Sequence, residues 1–81
     1  MDFQELRERF VDNLRERVRS GQLTERGLAR VTGISQPHIH NVLNGKRLFS
    51  IEMSDQILSR LHLDLWDLIR PEDLSDRQRK H

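Results

Sequence analysis

Two carboxamides and two imidazoles crowd one short stretch of this chain: Gln36, His38, His40 and Asn41, with Pro37 among them. A carboxamide presents a donor and an acceptor side by side, the pattern that suits adenine N7 and N6 together. Proline offers an apolar surface for a thymine methyl, and the two imidazoles flank the same stretch. Just downstream, Asn44, Lys46 and Arg47 supply donors and positive charge of the kind that grips a phosphate backbone. Upstream, Thr24 and Ser35 each precede a run that reads as helix, and a helix N-terminus with free N–H groups suits an anion.

Other chemistry is poorly provided for. The chain has no cysteine, hence no disulfide, no thiolate metal site and no cysteine nucleophile. His38 and His40, two apart on a helix, point about 200° away from each other and cannot share one metal. His62 and His81 add no ligand spacing. There is no phosphate loop and no pair of carboxylates in an evident cleft, and 81 residues leave little bulk to make one. The expectation is a protein without metal, cofactor or catalytic residue. No apolar stretch approaches the roughly 20 residues that a bilayer span needs, and Met1-Asp2-Phe3-Gln4-Glu5 has no signal-peptide pattern. A soluble, cytoplasmic protein with no membrane partner is expected.

The net charge of +1 divides unevenly along the chain. Residues 1–23 carry five arginines against five acids. Residues 24–50 carry Arg26, Arg30, Lys46 and Arg47 against Glu25 alone, an excess of +3. Residues 51–81 carry five basic and seven acidic groups. The positive excess is modest, but it falls on the segment that holds the carboxamides, where attraction to phosphate would need it.

The elements that must position these residues read as helices. Asp2 is an N-cap with Glu5 three residues on, and Phe3, Leu6, Phe10, Leu14 and Val18 then form one apolar stripe. Ser20-Gly21 ends that helix, whose arginines and glutamates form a solvated face with pairs such as Glu5–Arg9. Thr24 caps a second helix reaching about Val31, with Leu28, Ala29 and Val31 inward. Ser35 caps a third, residues 36–44, with Ile39, Val42 and Leu43 inward and Gly45 closing it. Pro37 falls in its first turn, where no intrahelical N–H bond is lost. Ser50 caps a fourth helix carrying Ile51, Ile57, Leu58 and Leu61, and Asp64 a short fifth at residues 65–69, halted by Pro71. One all-α domain over residues 1–70 and a polar tail over 71–81 result.

Residues 24–43 also meet the local demands of a helix-turn-helix. A small residue, Ala29, sits where the second helix must cross the first. Gly33 suits the positive φ of the turn, and Ile34 can plug its corner. Ile39 and Val42, three apart, can turn inward together. Each feature is weak alone; at these offsets, between two caps and a closing Asn44-Gly45, they are a strong signal.

Residues 23–47, continuing through Ser50-Ile51-Glu52, Leu61 and Asp64-Leu65-Trp66-Asp67-Leu68-Ile69, resemble the Cro/repressor-type (XRE, lambda-repressor-like) DNA-binding domain. The resemblance covers about residues 14–69 and implies a compact five-helix bundle that binds double-stranded DNA, usually as a homodimeric repressor or antitoxin. It implies base contacts by Gln36, Pro37 and Asn41 first, and by His38 and His40 after them. Thr24, Ser35, Asn44, Lys46 and Arg47 are the matching phosphate contacts. Trp66 either packs over the core or joins Leu48 and Phe49 in an apolar patch for dimerisation.

Three positions depart from the family pattern. Glu25 stands where the family often has Gln, and its charge repels phosphate. Leu43 replaces a common Glu that pairs with an arginine of the first helix. Gly27 lies inside the second helix, at a cost of roughly 1 kcal/mol against Ala. The leading expectation is a sequence-specific transcriptional regulator. The alternative is a protein-interaction or antitoxin module on the same scaffold, with a toxin or polymerase as partner.

Overall fold

In the computed structural model, residues 2–64, 67 and 68 are described. They form α1 (Phe3–Arg19), α2 (Glu25–Thr32), α3 (Gln36–Leu43) and α4 (Ile51–Arg60), with no strand among the described residues. The expected fifth helix at residues 65–69, with Trp66, and the tail at 71–81 lie outside the described residues, apart from Asp67 and Leu68.

Each helix starts on a side chain that satisfies an otherwise unpaired backbone donor. Asp2 Oδ1 accepts from Glu5 N–H at 2.8 Å, and Thr24 Oγ1 from Gly27 N–H at 2.9 Å. Ser35 Oγ accepts from His38 N–H at 3.3 Å, and Ser50 Oγ from Met53 N–H at 3.1 Å. Such caps are worth about 1 kcal/mol each. The end of α3 is equally defined: Gly45 takes φ 78°, its N–H donates to Val42 O at 3.0 Å, and Lys46 N–H donates to Asn41 O at 2.8 Å. These paired bonds close a Schellman turn. The last turn of α4 repeats them, from His62 to Ser59 (3.2 Å) and from Leu63 to Leu58 (2.8 Å). There the left-handed position, φ 54°, falls to His62 instead of a glycine.

The core draws on all four helices. Leu14, Leu28, Ile39, Val42 and Ile57 are fully buried, and Phe10, Ile34, Leu43, Phe49 and Leu68 complete the cluster. α2 packs on both α3 and α4, while α3 also packs on α1. The short α3 is thereby clamped by its neighbours, which fixes the direction of its outer face.

Three apolar residues expected to point inward do not. Val31 is exposed, and Thr32 is buried in its place. A core-facing stripe centred between Leu28 and Thr32 leaves Ala29 and Val31 about 80° off on opposite flanks. The Thr32 hydroxyl is satisfied there, donating to Leu28 O at 2.7 Å and accepting from Ile34 N–H at 3.2 Å. Ile51, in the first turn of α4, is exposed. Phe3 is exposed as well, with the Arg7 guanidinium 5.1 Å from its ring centre.

Candidate nucleic-acid interface

α2 and α3 are joined by three residues, Gly33-Ile34-Ser35. Gly33 takes φ 77° and its N–H closes α2 on Ala29 O at 2.9 Å. A side chain is strained in that conformation, so glycine suits the corner. Ile34 is buried beneath it. Ser35 then starts α3 with Pro37 in the first turn, where the missing N–H costs no helical bond.

Burying Ile39, Val42 and Leu43 turns the other side of α3 outward. Gln36, Pro37, His40 and Asn44 are exposed and Asn41 is half-buried. Lys46 and Arg47, both exposed, leave the end of the helix; the Lys46 N–H bond to Asn41 O sets the base of its side chain beside Asn41. Thr24 and Ser35 are exposed at the two helix starts, their hydroxyl oxygens already engaged as caps. Gly27 serves the first of these: an added Cβ would stand 2.9 Å from Thr24 Oγ1.

The two histidines separate. The His38 ring lies against Phe49, centres 6.0 Å apart and planes at 15°, and its Nε2 is buried without a hydrogen-bond partner. Stacking on a core aromatic sets the His38 ring towards Phe49, whereas Gln36, Pro37 and His40 are exposed. Phe49 is buried too, so only Leu48 of the expected Leu48–Phe49 patch is exposed.

His40 stays on the outer face. Its Nδ1 is 3.2 and 3.3 Å from the two carboxylate oxygens of Glu25, and Asn44 Nδ2 stands 3.1 Å from its Nε2. Glu25, Gln36, Pro37 and His40 line one shallow hollow of about 350 Å³. Glu25, expected from its charge to repel phosphate, is a wall of this hollow where α2 and α3 cross.

Arg15 of α1 was also missed. Its Nε–H donates to Leu43 O at 2.9 Å, and its Nη1–H to Asp12 at 2.6 Å. Arg15 thus ties α1 to the end of α3 through the main chain of Leu43. Among the described residues, no group of three or more His, Asp or Glu is gathered as a metal site, and no helix is long and apolar enough to cross a membrane. No family model, curated protein or solved structure shows a significant match to the chain.

Proposed function

We propose that the chain is a sequence-specific DNA-binding transcriptional regulator, a repressor of the Cro/lambda-repressor type with a five-helix bundle. In this reading α2 and α3 form a helix-turn-helix, and α3 lies in the major groove of cytoplasmic double-stranded DNA. The observation that carries the proposal is the division of α3. Ile39, Val42 and Leu43 are consumed by the core, while Pro37, His40 and Asn41 lie away from it, with exposed Gln36 at the leading tip and Lys46 and Arg47 beyond. Gln36 and Asn41 read base edges, and Pro37 meets a thymine methyl. Thr24, Ser35, Asn44, Lys46 and Arg47 hold the flanking phosphates.

The repressor acts as a homodimer, because one such module reads few base pairs and buries little surface on DNA. Exposed Leu48, Phe3 and Ile51 supply apolar material for protein contact. The same three side chains support a second reading, a protein-interaction or antitoxin module that docks a toxin or polymerase. Selection from a random duplex library at about physiological salt separates the two. The proposal expects an enriched inverted repeat whose half-site centres lie about one helical turn apart. Retention without any enriched sequence overturns it in favour of the protein-interaction module.

A further inference from the structure

The negative charge at the head of α2 has a specific place on the proposed reading surface. Glu25 is the first residue of α2, with its side chain only 24% exposed, and it meets His40, which is 59% exposed, across the α2–α3 crossing. His40 is its one partner among the described residues. The remaining walls of their hollow are Gln36 and Pro37.

The hydrogen bonds fix the polarity of this group. Asn44 Nδ2 donates to His40 O at 2.8 Å, so its amino end, which can only donate, is the end that faces His40 Nε2. His40 Nε2 therefore accepts, Nδ1 carries the hydrogen, and that single N–H is shared by both oxygens of Glu25. Every hydrogen in the string points towards Glu25. The carboxylate has further lone pairs, and its orientation is set.

A fixed carboxylate at a major-groove surface repels phosphate and can accept hydrogen bonds but not give them. Of the four bases, only cytosine presents a donor in the major groove with no acceptor beside it. Guanine and thymine present acceptors, and adenine pairs its N6 donor with an N7 acceptor that a carboxylate would face unfavourably. We propose that Glu25 is a specificity-determining residue that accepts the N4 amino hydrogen of a cytosine next to the base read by Gln36, with His40 as its positioning residue. This rests on the DNA-binding reading given above.

The test applies the duplex selection to the parent protein, Glu25→Gln and His40→Ala, with helical content checked by circular dichroism. The parent is expected to enrich cytosine at one position per half-site. Glu25→Gln should lower that preference about tenfold while binding all duplexes more tightly, since a repulsive charge is gone. His40→Ala should weaken the preference at the same position only. A selected duplex carrying N4-methylcytosine there, which lacks the major-groove donor, should bind the unaltered protein about tenfold more weakly. A parent that enriches a site while Glu25→Gln keeps the same cytosine preference, or while the methylated duplex binds as well, overturns this inference alone. A parent that enriches nothing overturns it together with the DNA-binding reading.

Discussion

His38 and His40 are separated by one residue and face opposite environments, one stacked on Phe49 and the other held by Glu25. The buried, unpartnered Nε2 of His38 is a liability, because a polar atom removed from water without a hydrogen bond costs about 1–3 kcal/mol. His38→Phe keeps a ring against Phe49 and removes that atom, so urea unfolding should show a gain of about 1 kcal/mol. Its affinity for the selected duplex should match the parent's; a changed base preference would return His38 to the groove. Asn41 and Lys46, joined by a main-chain bond, are expected to act differently. Asn41→Ala should cost about 1–3 kcal/mol on the selected site and relax preference at one base pair. Lys46→Ala should weaken every duplex alike and lower the salt slope by about one unit, as titrations at several salt concentrations would show.

At the scale of the helices, legibility followed local chemistry. Asp2, Thr24, Ser35 and Ser50 were readable as caps because capping acts over three residues, and the inward set of α3 because its spacing is helical. Val31 and Thr32 were not separable in this way. Hydropathy favours burying the valine, whereas the packing direction of α2 buries the threonine, whose hydroxyl finds partners within its own turn. The Glu25–His40 pair and the Arg15 bond to Leu43 O join residues 15 and 28 positions apart. Both depend on how helices cross, which no local pattern encodes. α4 supplies the prediction proper to this scale. Its closing turn places His62 at φ 54°, a conformation that disfavours a side chain by roughly 1–2 kcal/mol. His62→Gly should therefore raise the unfolding free energy by about 1 kcal/mol, read from the urea midpoint at unchanged slope.

The whole molecule rests on one small cluster in which α3 supplies three of the buried apolar side chains, so stability and the presentation of the proposed reading surface are inseparable. Ile39→Asp, which places a carboxylate at the centre of that cluster, should abolish the cooperative unfolding transition and the helical circular dichroism together. A folded variant would mean that α3 faces the other way. The bond from Arg15 to the carbonyl of Leu43 has a consequence of another kind. Every residue type carries that carbonyl, so the acceptor survives any substitution at position 43 that the core can accommodate. The donor has no such protection, since among the described residues it is the Arg15 guanidinium that makes this bond. The tether between α1 and the end of α3 is thus asymmetric under mutation. Sequence can drift at one end without loosening it, while the other end is bound to a single side chain.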